Sequence, residues 1–244
     1  FETSRVDEFN ALNEELIKLT EKVNSDYRNL KEFTENMSHE TQTPLAIIRS
    51  KLELLLQSDN LRPEQMEQVH ATLDAINRLT KMNRGLIMLT RIENDQYAEE
   101  ELVEIGALLQ SRLEDLELFM QSRGLSVETV LAQDVSVRMN KYLADILVSN
   151  LLSNAIKYNR EGGKLIVSLF ADSLMVSNSG TPLSIPDHRI FERFKRGDSP
   201  DSVGLGLAIV KRICDHYHFF LSYRYDEDLH RFYVQFPKER RNNA

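Results

Sequence analysis

The sequence predicts a helical hairpin that pairs with a second copy of itself as a four-helix bundle, followed by an α/β sandwich. Three observations carry this reading. Leu12, Leu16, Leu19, Val23, Leu30, Phe33 and Met37 keep spacings of 4 and 3, the heptad pattern of a coiled coil, with Asp26 its polar break. The first glycine is Gly85 and eight of the nine lie beyond residue 100, so the chain changes character near its middle. Beyond that point short β-type runs alternate with helical patterns, the mark of a layered α/β domain.

From Phe9 the seam calls for one long helix. A parallel dimer is the natural way to bury it, because the early segment has no neighbouring domain to lie on. The seam continues through Leu45, Ile48, Leu52 and Leu55. Pro44 lies inside it, removing a backbone donor and crowding the carbonyl of Glu40, so a bend is expected there. The run SDNLRP after Leu56 breaks the periodicity, and Pro63 suits the first turn of a second helix that Glu64 favours electrostatically. Met66, Val69, Leu73, Ile76, Leu79, Leu86 and Leu89 give this helix its own stripe, out to about Glu93. One such hairpin leaves an apolar face open, and two closing as a bundle cover it. Glu93 to Glu101, ENDQYAEEE, reads as a polar acidic linker.

In the second half, Leu102–Ile105 and Ser126–Leu131 read as strands flanking a helix from about Ala107 to Gln121, with Ser136–Met139 a further short strand. Lys141–Asn159 is a strong helix, and Lys164–Phe170 with Ser173–Ser177 form a hairpin of strands. Gly204–Tyr217 is helical, and strands near Phe219–Tyr225 and Arg231–Phe236 end the domain.

Composition narrows the function. The 244 residues are 41% hydrophobic, enough for two cores. A net charge of −8, with no cluster of Lys and Arg interleaved with aromatics, argues against a nucleic-acid partner. Cys214 is the single cysteine, which excludes an internal disulfide or a multi-cysteine zinc site and fits a reducing compartment; it reads as packing. No apolar run approaches the roughly 20 residues that cross a bilayer. The chain begins at Phe1, inside a helical pattern and without a methionine, so an upstream sensor or membrane region is expected.

Several residues carry chemistry. His39 and Thr43 are i and i+4 and share a helix face, and His39 lies about 200° around the helix from Met37, which points the imidazole at solvent. A lone exposed histidine is by itself ordinary. Asn150, Asn154 and Lys157 line one face of their helix, while Leu147, Leu151 and Ala155 cover others. Amide oxygens suit a hard cation that phosphate already partly satisfies, although two asparagines alone are more often solvated than ligating. Gly204 and Gly206 in VGLGLAIVKRI open a helix where missing side chains let backbone amides approach phosphate. A bare GxG is weak evidence.

Together these segments resemble the sensor histidine kinases of two-component systems. His39, Glu40, Thr43, Pro44 and Leu45 match the HExxTPL pattern of the family's H box, and NLLSNAIKY, Asn150 to Tyr158, is similar to its N box. FERF at Phe191 to Phe194, within Thr181 to Val203, resembles the F box inside a lid over the nucleotide, and GLGLAIVK matches the G2 box. Two departures stand out. Where the G1 box reads DxGxG, this chain has Asn178, Ser179, Gly180, Thr181 and Pro182, and Ser202 stands for the first G2 glycine. An amide oxygen still accepts from the adenine amino group but carries no charge, so a weaker bond is expected there.

The resemblance implies an ATP-dependent protein-histidine kinase that uses ATP and Mg²⁺. It implies a signalling helix at 1–28, a dimerisation and histidine-phosphotransfer domain at 29–95, and a catalytic ATP-binding domain at 100–240 of the type shared with HSP90 and gyrase. His39 becomes the phosphoacceptor, Glu40 the general base and Thr43 the residue that positions water when the partner is dephosphorylated. Lys157, with Mg²⁺ on Asn154, offsets charge on the transferring group. Asn150, Asn154, Lys157, Tyr158, Asn178, Gly180, Phe191, Arg193, Phe194, Gly204, Leu205, Gly206 and Leu207 are the implied nucleotide contacts. The implied partners are a second copy of the chain and the receiver domain of a response regulator, and the implied location is the cytoplasmic portion of an inner-membrane sensor. Two other readings compete: a degenerate nucleotide-binding scaffold that docks a partner, encouraged by Asn178 and Pro182, and an ATP-driven clamp akin to HSP90, which has no reason to carry His39 and Thr43 on paired helices.

Overall fold

The structure is a computed structural model that describes residues 7–57, 61–183, 185–195 and 203–237; the side chains of residues 7, 8, 30–39 and 188 lie outside that description. Ser202 also falls outside the described residues, as does the side chain of His39. Two units divide the chain, Phe1–Asn94 and Asp95–Ala244.

The first unit is a helical hairpin. Helix α1 spans Asp7–Leu56 and runs through Pro44 without interruption, and α2 spans Pro63–Glu93. Pro63 opens α2, where a missing N–H costs nothing, and the Gln65 side chain reaches back 3.0 Å to the backbone N–H of Arg62. Two hydrogen bonds fix the pairing: Asn83 Nδ2 donates to Thr41 Oγ1, and the Tyr27 hydroxyl donates to the Asn94 carbonyl. Positions fall on α2 as they rise on α1, so the helices are antiparallel. The seam is only partly covered within one chain. Val69, Ile76, Met88, Leu89 and Ile92 are buried, whereas Leu12, Leu19, Val23, Leu54 and Leu79 stay exposed.

The second unit layers helices against strands. Strand β1 (Glu101–Glu104) pairs antiparallel with β3 (Ser136–Met139) in a small sheet. Strands β2 (Ser126–Leu131), β4 (Lys164–Phe170), β5 (Ser173–Ser179), β6 (Phe220–Asp226) and β7 (Leu229–Gln235) form a five-stranded sheet in the order β2-β4-β5-β7-β6. Only β2 and β4 run parallel; the other neighbours are antiparallel. Helix α5 (Lys141–Lys157) packs on α3 (Ile105–Asp115), α6 (Gly206–His216) and β5, and its Leu143, Ala144, Leu147, Leu151 and Ala155 face are fully buried.

Three local differences from the sequence reading have physical causes. The helix expected over about 107–121 is two helices, α3 and α4 (Glu117–Ser122), because Leu116 sits at φ −99° and ψ 0° and the helical path is lost there. Helix α3 also begins earlier than expected, since a Glu104 carboxylate oxygen caps it by accepting from the Ala107 N–H at 3.1 Å. The last two strands meet in a tight turn at Glu227 and Asp228, with φ of 50° and 59°, that carries no glycine to announce it. The polar stretch after α2 is pinned to the second unit rather than loose. His216 Nδ1 lies 3.1 Å from an Asp95 carboxylate oxygen, Tyr97 stacks on Tyr142, and Asn140 Nδ2 donates to the Glu99 carbonyl at 2.9 Å.

Candidate functional site

Helix α5 makes the floor of the site because its two faces differ. The Asn140 side chain caps its start, accepting from the N–H groups of Tyr142 at 3.0 Å and Leu143 at 3.2 Å. Burying the leucine face leaves Asn150, Ser153, Asn154 and Lys157 on a cavity of about 210 Å³. Arg123 finishes the helix, donating at 2.9 Å to the carbonyls of Ile156, Lys157 and Asn159. Those bonds satisfy carbonyls orphaned at a helix end and fix the backbone that carries Lys157 and Tyr158 into the cavity.

The sheet supplies a second wall. Asn178 on β5 is 1% exposed and pairs across the ladder with His230 on β7. Its Nδ2 donates to the Ser179 carbonyl at 3.0 Å and to the Tyr158 carbonyl at 3.4 Å. With both amide hydrogens turned toward protein, Oδ1 is the end left to accept. His230 Nδ1 lies 2.7 Å from the Tyr223 hydroxyl, whose pKa burial pushes up to about 12. Burial holds the His230 imidazole below its ordinary pKa, partly offset by a hydrogen bond to the Thr181 backbone, so the ring is neutral at pH 7.

The third wall is the start of α6. No side chain caps its N-terminus, which leaves first-turn N–H groups to an anion. Gly204 has φ +72°, and a Cβ there would lie 2.5 Å from the Lys195 carbonyl oxygen. A Cβ on Gly206 would stand 2.8 Å from Asn150 Oδ1. Asn150 Nδ2 is spent on the Ile146 carbonyl at 2.8 Å, so its oxygen faces this glycine. The donor set fits Mg²⁺ that arrives with phosphate: amide oxygens from α5, and among the described residues no cluster of three or more His, Cys, Asp or Glu.

Asn150, Asn154, Lys157, Tyr158, Asn178, Gly204, Gly206 and Leu207, all expected from sequence, therefore meet on one cavity. Gly180, Phe191, Arg193, Phe194 and Leu205 are not among its lining residues. Gly180 leaves no room for a Cβ against the His230 ring, Leu205 is buried, and Arg193 and Phe194 are exposed. Sequence reasoning missed Ser153, Leu183, Ile185, Ile190, Lys195, His230 and Phe232, which also line it. His230 was discoverable, because it alternates with the buried Phe232 and Val234 on β7. In the first unit, Glu40 and Thr43 are exposed on α1, and Thr43 borders a shallow surface with Ala46, Ile47, Ser50 and Lys51.

Comparison with known proteins matches two families in succession along the chain. The family described as His Kinase A (phospho-acceptor) domain matches residues 29–95, and the histidine kinase-, DNA gyrase B- and HSP90-like ATPase matches 142–240. The chain is 30% identical over 226 residues to the heme sensor protein HssS of Staphylococcus saprophyticus, covering 88% of this chain and 48% of that protein. It is 35% identical over 214 residues to the sensor protein QseC of Salmonella typhi, covering 84% and 47%. It thus spans about half the length of the curated relatives it matches. A crystal structure of full-length ShkA in complex with AMPPNP shares the fold, with a TM-score of 0.67 at 24% identity over 84% of this chain and 45% of that one. A phospho-acceptor domain on the helical hairpin, a kinase-type ATPase domain around the cavity, and relatives that are sensor kinases all point one way: the chain belongs to the sensor histidine kinases of two-component systems.

Proposed function

We propose that this chain transfers the γ-phosphoryl group of ATP to His39 and passes it on to an aspartate in the receiver domain of a response regulator. The observation that supports this most is the meeting of Asn150, Asn154, Lys157, Asn178, Gly204 and Gly206 on one cavity. In the first step an imidazole nitrogen of His39 attacks the γ-phosphorus, the bond to the bridging oxygen breaks, and ADP leaves. Glu40, adjacent in sequence, takes the proton from the other ring nitrogen. Lys157 offsets charge on the transferring group, and the uncapped start of α6 receives the phosphates. Asn154 would hold Mg²⁺ that arrives with the phosphates, and the ion would supply Lewis-acid neutralisation of the developing charge. Thr43 positions a water that attacks the aspartyl phosphate of the regulator, releasing inorganic phosphate and restoring the free aspartate.

The exposed seam on α1 and α2 favours a homodimer in which two hairpins close as a four-helix bundle. Residues 1–28 act as the signalling helix, 29–95 as the dimerisation and phosphotransfer domain, and 100–240 as the catalytic domain. Among the described residues no helix is long and apolar enough to cross a membrane. The relatives' greater length suits a cytoplasmic kinase portion of an inner-membrane sensor, anchored by sequence upstream of this chain. Incubation with γ-labelled ATP tests the reading. Label stable to alkali and lost in acid is expected on the wild type and absent from His39→Gln, and a His39→Gln chain that still labels refutes the assignment.

A further inference from the structure

We propose that His230 is a proton-controlled positioning residue of the nucleotide cavity: its neutral ring admits the base, and its protonated ring opposes it. This deepens the ATP reading above and rests on it. The phosphoryl-transfer scheme leaves His230 unused, although it lines the cavity beside Asn178, its cross-strand neighbour. The ring is enclosed on its other sides. Tyr223 and Tyr225 of β6 flank it, with ring centroids 5.9 and 4.9 Å away, and Gly180 closes against it too tightly for a Cβ. At 6% exposure, the water it meets is that of the cavity it lines.

Both ring nitrogens are engaged, and that fixes the tautomer. The bond to the Thr181 backbone favours the protonated imidazole, so the ring is the donor in it and the carbonyl accepts. Nδ1 faces the Tyr223 hydroxyl at 2.7 Å and accepts from it, because that hydroxyl, pushed up to about 12 by burial, keeps its proton. A proton taken from solvent at Nδ1 forces the Tyr223 hydrogen to turn away. The new charge also finds no counter-ion. Asp228 lies 3.2 Å from the Tyr225 hydroxyl, Asp187 acts on Tyr223 and Arg160 on Tyr225, while Arg231 pairs with Asp226 and Glu227. Lys157, Tyr158 and Lys195 share the cavity. Among the described residues, burial and the Thr181 bond alone move the His230 imidazole. A charged ring therefore depends on cavity water, and a base seated there removes it. The complex then holds this proton less readily than the free chain does. Affinity falls as pH falls through the free ring's range, which lies below the ordinary imidazole value, and the proton returns to solvent on binding. The triphosphate's charge pulls the other way, but it is received at the start of α6 and offset by Lys157 and Mg²⁺.

Calorimetric titration of the whole chain with ATP and Mg²⁺ at about pH 7.5 and about pH 5 tests this, with His230→Gln alongside. Glutamine can donate to Thr181 but takes no proton, and protonation of ATP itself is common to both chains. The wild type is expected to lose about three- to tenfold more affinity than His230→Gln over that range, whatever the variant's affinity at the upper pH. A second measurement needs no variant. Followed by NMR in the wild type, the His230 imidazole is expected to titrate at lower pH with ATP bound than without it, a shift that a merely structural histidine does not show. Equal losses in both chains, or a His230 titration that ATP leaves in place or raises, overturn the proposal. A wild-type chain that binds no ATP at the upper pH overturns the underlying ATP reading instead.

Discussion

Asn178→Asp would bring the G1 segment closer to the DxGxG pattern it resembles, yet the geometry says the change is harmful. Asn178 is 1% exposed, and its Nδ2 donates to the Ser179 and Tyr158 carbonyls. A carboxylate there sets an anionic oxygen 3.0 Å from one carbonyl oxygen and 3.4 Å from the other, turning two attractions into two repulsions. The lost hydrogen bond costs about 1 kcal/mol, and burying an unpaired acceptor adds roughly 1–3 kcal/mol unless the new carboxyl keeps its proton. Keeping it raises the folded-state pKa above the unfolded value of about 3.9, so the folded state binds more protons and stability falls as pH rises through that window. The deficit against wild type is therefore largest at pH 7 and shrinks toward pH 4. For a domain of this size about 2–4 kcal/mol lowers Tm by roughly 5–15 °C. Thermal unfolding at both pH values, with calorimetric titration of ATP at pH 7, measures this. The reasoning fails if the variant melts no lower than wild type and binds ATP more tightly.

Two further outcomes follow from side chains away from the nucleotide. Arg123→Ala removes three bonds from the end of α5 and is expected to destabilise the second unit by about 2–4 kcal/mol, with KM for ATP rising because Lys157 and Tyr158 lose their support; unfolding scans and initial rates measure both. Burial pushes the Cys214 thiol up to about 12, so at pH 8 roughly one molecule in ten thousand carries the thiolate. Iodoacetamide should leave the native protein unlabelled and modify it promptly in denaturant, and rapid native labelling would contradict that packing.

What the sequence disclosed and what it withheld divide along one physical line. Helix α5 was legible because one residue run has to satisfy two surfaces, leucines that end fully buried and amides that end on the cavity, and a 3.6-residue period writes both demands into the same letters. Strand β3 and the ends of α2 were legible for the same reason: alternation in one, proline and polar punctuation in the other. The break at Leu116 left no trace, since leucine is a good helix former and no Gly or Pro marks the φ of −99° and ψ of 0° it adopts. The turn at Glu227 and Asp228 also hid, because acidic residues stand where glycine would have marked positive φ. Lys195 was concealed more deeply. Its place follows from Gly204 receiving the Phe194 N–H, a contact between residues ten apart that no local pattern encodes. A motif therefore located the residues that regular elements bring to the cavity, whereas the lysine that irregular backbone brings there became visible only once the two glycines and the chain crossing them were set in space.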